Sequence, residues 1–142
     1  MHRSWVVVAS KSNARIYERQ KRNSLKLIKS FENPKIKLKE GEVDSDRHGS
    51  MANSNGHGYQ SFTPRKTNKK HREEMFAKEI NQFLNQNHNK NSFDDLIIVA
   101  ENSFLGVIRN NLNSKLNKHV SNFLNKDLGN LPDSEIEKIM AA

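Results

Sequence analysis

The chain has 142 residues and a formal net charge of +8, and it contains no cysteine. This length is typical of one domain, and the absence of cysteine excludes disulfides, thiolate metal sites and a thiol nucleophile. The longest apolar runs, at residues 5–9 and 96–100, are only as long as strands, so the sequence predicts no membrane span. The N-terminus shows no secretory signal, and we expect a cytoplasmic protein.

Residues 4–32 predict an antiparallel meander of three strands. Strands are expected at residues 4–10, 14–20 and 25–32, because β-branched or alternating apolar stretches are separated there by short polar turns. One face of this sheet should bury leucine and isoleucine. The other face should present four cations to solvent or to a partner: Arg15, Arg19, Lys26 and Lys29.

The middle of the chain predicts a long loop followed by a helix. Pro34 can start a short helical element, after which residues 41–62 hold four of the six glycines and show no apolar periodicity. A connection of this length is usually functional or disordered, so we predict a flexible loop. Thr63 is expected to cap the following helix, with Pro64 at its first position. Its apolar face comprises Phe76, Ile80, Phe83 and Leu84.

The last third of the chain predicts two more strands and two more helices. Residues 94–100 indicate a strand buried on both faces and parallel to its neighbour, followed by a helix capped by Asn102 or Ser103. Residues 115–118 could extend that helix by a turn, and residues 120–124 predict a fifth strand.

A final helix capped by Asp133 or Ser134 completes the predicted order of elements. Strands and helices in this order predict a single α/β domain over residues 1–142. Its mixed five-stranded sheet should combine the meander with parallel additions and carry helices packed against it.

Positive charge is concentrated in two segments. Residues 1–40 hold eleven Lys and Arg against three acids, and residues 63–90 hold seven against three, whereas residues 41–62 and 91–142 are each net −2. Positive charge concentrated in separate segments is typical of proteins that bind a phosphate-rich partner. The alternative is that the charge serves only solubility.

Cations crowd the start of the predicted central helix, where the helix dipole favours acids. An anionic partner would explain them, and a solvated basic face is the alternative. Tyr59, just upstream, could stack on unpaired bases. The predicted nucleic-acid-binding residues are therefore Tyr59, Arg65, Lys66, Lys69, Lys70 and Arg72.

Several segments resemble the bacterial family of host attachment proteins: WVVVASKSNARIYE, SDRHG, HREEMFAKEINQFLN, LIIVAENSFLGVIR and NKDLGNLPDSEIEK. The resemblance covers nearly the whole chain, and SFLGVIR and KDLGNLP are its most specific parts. The name of the family describes a phenotype and implies no mechanism.

A more distant resemblance connects the chain to the middle domain of archaeal and eukaryotic class-1 peptide-release factors. In those factors a Gly-Gly-Gln tip precedes a basic helix and enters the peptidyl-transferase centre of the ribosome. The comparable tip here comprises Gly56, Gly58 and Gln60, with Tyr59 in place of the second glycine. A side chain at this position restricts the backbone. The resemblance therefore implies this architecture and contact with RNA or the ribosome, but not release activity.

No catalytic residue, metal site or cofactor is predicted. The D-x-D-x-H pattern at residues 44–48 lacks identifiable further ligands. The order of elements also resembles ribonuclease-H-like nucleases, which need a carboxylate on the first strand, and SWVVVAS has none. Glu101 alone follows the fourth strand, where open α/β sheets commonly bind ligands.

The leading hypothesis from the sequence is a non-enzymatic RNA- or ribosome-associated module that uses the basic helix and the glycine-rich loop. A protein-interaction module in cell attachment is the second hypothesis. The third is an ester hydrolase acting on peptidyl-tRNA, with Gln60 positioning water. The oligomeric state is not predicted.

Overall fold

A computed structural model describes the backbone of residues 2–33 and 58–141, and it describes the side chains in these ranges except at residues 23 and 58–68. The predicted element at Pro34 and residues 41–57 of the predicted loop lie outside the described residues.

The described residues form one five-stranded sheet in the spatial order β3-β2-β1-β4-β5. Its strands are β1 (Ser4–Ala9), β2 (Asn13–Arg19), β3 (Leu25–Glu32), β4 (Asp95–Ala100) and β5 (Val120–Asn125). The first three strands pair antiparallel, and β4 and β5 add to β1 in parallel. The predicted mixed sheet, with a meander and parallel additions, is confirmed.

Four α-helices flank this sheet in the described part of the chain: α1 (Gly58–Asn89), α2 (Asn102–Asn111), α3 (Ser114–Asn117) and α4 (Asp133–Ala141). A short 3-10 helix, Lys21–Asn23, joins β2 to β3. α1 ends in a turn that is closed by two backbone hydrogen bonds. The amide of Asn91 donates to the carbonyl oxygen of His88, and the amide of Ser92 donates to that of Asn87. Asn91 has a φ of 59°, the left-handed conformation that this terminator requires and that asparagine tolerates.

Helices cover the sheet on both faces. On one face α1 and α2 bury an apolar cluster that includes Trp5, Ile16, Ile80, Ile98 and Phe104. On the other face α4 packs against a second cluster: Val6, Val8, Tyr17, Ile97, Val99, Leu128 and Ile136. β1 is therefore buried on both faces, as its unbroken β-branched run indicates.

Three predicted helix starts are wrong. α1 begins at Gly58, not at Thr63, so Gly58, Tyr59 and Gln60 belong to a helical turn and not to a loop. Residues 59–62 contain no helix breaker, so the Thr-Pro pair marks only the latest start that the sequence allows. α2 is capped by Glu101, whose carboxylate accepts the amides of Ser103 and Phe104, not by Asn102 or Ser103. α4 begins at Asp133 itself, so neither Asp133 nor Ser134 precedes that helix as its cap.

Residues 115–118 do not extend α2. The helix α2 ends at Asn111, and the short helix α3 follows with its own cap, because the Asn113 side chain accepts the amide of Leu116 at 2.8 Å. A side-chain acceptor at this position supplies a new helix start.

The four cations predicted on one solvent face of the meander are divided between the two faces. A bulge between Ile16 and Tyr17 shifts the register of β2 against β3. Lys29 consequently lies above the ring of Phe83 on α1. Arg15 lies on the α4 face, where its guanidinium binds Asp133. Of the predicted four, Lys26 and Lys29 are exposed, whereas Arg15 and Arg19 are partly buried.

The chain segment that leads into α4 is anchored to β2. Asp133 Oδ1 accepts hydrogen bonds from the hydroxyl of the buried Tyr17 at 2.6 Å and from Arg15 at 2.9 Å. Arg15 also donates to the carbonyl oxygens of Gly129 and Leu131. A Cβ at Gly129 would lie 2.8 Å from the Cβ of Ser10, so only glycine fits this close approach.

Candidate nucleic-acid interface

Charge divides α1 into two halves. Residues 58–72 carry five Lys and Arg and no acid, whereas residues 73–89 carry three Glu and one Lys. The amide dipoles leave a partial positive charge at the N-terminal end of a helix, so this order costs stability within the isolated helix. Among the described side chains of α1, at residues 69–89, the apolar residues that attach the helix to the sheet begin at Phe76.

The structure places the predicted binding residues as follows. Lys69 and Lys70 are exposed, and neither has an ion-pair partner among the described residues. Arg72 is partly buried, and its Nε is buried without a hydrogen-bond partner in the described part of the chain. Tyr59, Gly58, Gln60, Arg65 and Lys66 lie in α1 by their backbone, and their side chains lie outside the described set, as does Gly56 entirely.

A cleft of about 430 Å³ lies beside these cations, between the end of β3 and α1. His71 and Arg72 contribute to its wall, and Met75, which is 51% exposed, contributes apolar surface. Glu32 and Glu79 also line it, so the cleft itself has no strong excess of positive charge. The cationic surface is therefore the exposed side of α1 around Lys69 and Lys70, not the cleft.

The carboxyl ends of β1 and β4 meet at the point where the strand order reverses, which is where open α/β sheets commonly bind ligands. There Lys11 Nζ lies 3.6 Å from a carboxylate oxygen of Glu73, which is buried in α1 at 8% exposure. Burial alone would raise the pKa of Glu101, but hydrogen bonds from the amides of Phe104 and Ser103, together with Lys11, hold it below its usual value.

Glu73 and Glu101 therefore have structural roles. Glu101 caps α2, and Glu73 is balanced by Lys11. No group of three or more His, Asp or Glu side chains that could hold a metal ion occurs within residues 2–33 and 69–141. The D-x-D-x-H pattern lies outside the described residues.

Sequence reasoning missed a polar cluster at the opposite, amino end of the sheet. The parallel pairing of β1 with β4 places Ser4 opposite Asp95, and Ser121 follows at the start of β5. Asp95 accepts hydrogen bonds from both serine hydroxyls, and His2 contacts its other oxygen. These residues are far apart in the sequence, and only the strand register brings them together.

Two histidines meet at the end of α1. The rings of His88 and His119 lie 4.4 Å apart, and His88 Nδ1 is buried without a hydrogen-bond partner among the described residues. Burial first, then His119 and Lys115, lower the pKa of His88. Its neutral form is therefore the one that fits the fold.

We expect an NMR titration to give His88 a pKa below the reference value of about 6.5. Because the unfolded chain binds this proton more readily, stability should fall as the pH drops through about 6.5 towards the lowered pKa. His119→Gln removes one of the charges responsible and should bring the pKa of His88 closer to its usual value. A wild-type pKa at or above 6.5 would contradict this arrangement.

Fold and charge together define an α/β protein with a mixed sheet and a long helix whose first half carries five cations and no acid. Within the part of the chain that the structure describes, no helix combines the length and the apolar character needed to cross a membrane.

A protein-family model described as "Protein required for attachment to host cells" matches residues 5–140, and the chain belongs to this family. The match spans both the meander and the α/β half of the fold. The comparison with curated proteins gives no significant match.

Proposed function

We propose that this member of the host attachment family is a non-enzymatic, cytoplasmic RNA-binding module that contacts phosphates through the first half of α1. The observation that carries the proposal is the charge order along α1, with five cations and no acid in residues 58–72. The proposed partner class is single-stranded RNA or ribosomal RNA. Neutralisation of phosphates by Lys and Arg requires no particular base sequence, so we expect this contact to be independent of sequence.

Exposure and lack of local neutralisation support this assignment. Lys69 and Lys70 are solvent-exposed, and within the described residues no carboxylate pairs with them. A solvated basic helix contributes little to folding by surface charge alone. Clustered cations that oppose the dipole of their own helix are instead favoured when a polyanion covers them.

The position of the helix supports the same partner. Among the described side chains of α1, the apolar residues that bind the helix to the sheet begin at Phe76, so Lys69, Lys70 and Arg72 precede this apolar attachment. A distant resemblance to the middle domain of class-1 release factors, in which a basic helix follows a glycine-containing tip, adds support for ribosomal RNA. Gly58 and Gln60 lie in the first turn of α1, directly before the cations.

Binding to a fluorescent single-stranded RNA, measured by anisotropy between 50 and 300 mM KCl, tests the proposal. For single strands log K falls with log salt by about 0.7 per neutralised phosphate, so the five cations allow a slope of about −3 to −4. In parallel, the protein should co-sediment with ribosomes at low salt and dissociate as salt rises. Absence of RNA binding at 50 mM salt, together with absence from ribosomes, would rule the proposal out.

The description of the family favours a second candidate, a module that binds a protein partner during attachment to host cells. Two large apolar side chains, Leu27 at 44% and Met75 at 51% exposure, provide contact area in the described residues. A complex with a protein partner should survive nuclease treatment and high salt. An RNA complex should not, which separates the two candidates.

A further inference from the structure

A groove separate from the α1 surface lies at the amino ends of β1 and β4. It has a volume of about 940 Å³ and opens on the α4 side of the sheet, where Ile97 contributes to its floor. Ligand sites for small molecules commonly measure about 300–1,000 Å³. The groove is therefore large enough for a ligand of the size of a nucleotide.

The floor of this groove is a prearranged hydroxyl-binding cluster. Asp95 Oδ2 accepts from Ser4 Oγ at 3.2 Å and from Ser121 Oγ at 3.1 Å, and Asp95 Oδ1 lies 2.5 Å from His2 Nε2. The Asp95 side chain is 22% exposed, so it is held in place but reachable. A carboxylate has about four acceptor sites, and Ser4, Ser121 and His2 occupy three of them, so about one remains for a ligand hydroxyl. The two serine oxygens can also accept from a ligand hydroxyl.

Three cations and one acid, Glu18, form the adjacent wall. Arg19 and Lys21 line the groove together with Arg3, and neither Arg19 nor Lys21 has an ion-pair partner among the described residues. A short turn stabilises this wall, because the amide of Gln20 donates to the carbonyl oxygen of Ser24 at 2.7 Å. Arg and Lys side chains in such a position bind phosphate oxygens.

We infer that this groove binds a ribose phosphate, with the hydroxyls on Asp95, Ser4 and Ser121 and the phosphate on Arg19 and Lys21. A ribose phosphate combines the two kinds of group that this groove can bind. Its vicinal hydroxyls donate and accept hydrogen bonds, and its phosphate is a dianion. Deoxyribose lacks the 2′-hydroxyl and makes fewer of these contacts. The exposed imidazole of His2 is the one aromatic ring that lines the groove in the described part of the chain, so the base has little stacking surface and contributes little.

The ribose phosphate could belong to a free ribonucleotide or to an RNA strand, and one set of amide NMR titrations separates these sources. The probes are AMP, CMP, dAMP, inorganic phosphate and a decameric oligouridylate. AMP and CMP should shift the amides around Ser4, Asp95 and Ser121 with similar affinity, and dAMP and phosphate should bind at least five-fold more weakly. If the oligouridylate displaces AMP, the source is RNA, and if it does not, the source is a free nucleotide.

Variants test separately the hydroxyl-binding cluster and the phosphate-binding cations of the groove. Ser121→Ala should reduce the preference for AMP over dAMP, and Arg19→Ala with Lys21→Ala should weaken every phosphate-containing probe about ten-fold. Lys126→Ala, at an exposed position beyond the other end of β5, is the matched control and should change nothing. Amide spectra of each variant verify that the sheet is intact, and Ser121→Ala avoids removal of the Asp95 carboxylate.

Equal binding of AMP and dAMP, no shifts at millimolar AMP, or variants that bind like the wild type would each overturn the inference. The titrations with AMP, CMP and dAMP test binding in the groove and do not depend on the cations of α1. Failure of RNA binding through Lys69 and Lys70 would therefore leave this groove testable, and failure of the groove would leave the proposed α1 surface unaffected.

Discussion

Changing Lys66, Lys69, Lys70 and Arg72 together to Glu is expected to reduce affinity for single-stranded RNA at least 100-fold at 100 mM salt. Each cation that neutralises a phosphate contributes about 0.7 to the salt slope of single-strand binding, so removal of four should reduce the slope by about 2 to 3. The new carboxylates add repulsion. Anisotropy with a labelled RNA at several salt concentrations measures both quantities.

Net charge changes greatly in this variant, from +8 to 0, because four cations become four anions. A control must therefore carry the same net charge with the reversal elsewhere. Lys115, Lys118, Lys126 and Lys138 are exposed, and changing these four to Glu gives the same total. This control should keep most of the affinity of the wild type. Equal losses in the two variants would show that total charge, not the α1 surface, determines binding.

Much of the fold was predictable because it follows from local patterns. The β-branched runs at residues 5–9 and 96–100 fill strands that are buried on both faces, and short polar turns close the meander. The helix after β4 follows from its apolar spacing. Local patterns do not determine which side chain accepts the free amides at the start of a helix. Glu101 caps α2 because it stands just before the first helical residue, where its carboxylate accepts the amides of Ser103 and Phe104.

The site was less predictable than the fold for a physical reason. The charge order of α1 is a property of consecutive residues, and it can be read without coordinates. The amino-end groove depends on register, because Ser4 meets Asp95 only through the parallel pairing of β1 with β4. A bulge in the meander likewise directs Lys29 and Arg15 to opposite faces, whereas strict alternation predicts one face.

Asp133, the first residue of α4, attaches this helix to β2, and Asp133→Ala should destabilise the protein by about 2 to 3 kcal/mol. Its carboxylate accepts the hydroxyl of Tyr17, which is buried, so the substitution leaves that hydroxyl without an acceptor. The contribution of Arg15 is smaller, because the Asp133 side chain is 55% exposed and Arg15 keeps two carbonyl partners. Urea denaturation measures the change.

Tyr17→Phe tests the same contact from the other side. It removes the hydroxyl without leaving a buried donor unpaired, so it should cost about 1 kcal/mol, and the double variant should cost less than the sum of the two. Glu135→Ala, which removes an exposed acid from the same helix, is the control and should have little effect. If Asp133→Ala destabilises no more than Glu135→Ala, the contact with Tyr17 does not anchor α4.

The contact also determines behaviour at high pH. Burial first, and then the hydrogen bond to Asp133, raise the pKa of Tyr17 well above its ordinary value. Because the unfolded chain loses this proton first, stability should fall as the pH rises through about 10. Phenolate absorbance should show one of the two tyrosines titrating late, and that late component should disappear in Tyr17→Phe. Two tyrosines that both titrate near pH 10 in the folded protein would contradict a buried, hydrogen-bonded Tyr17.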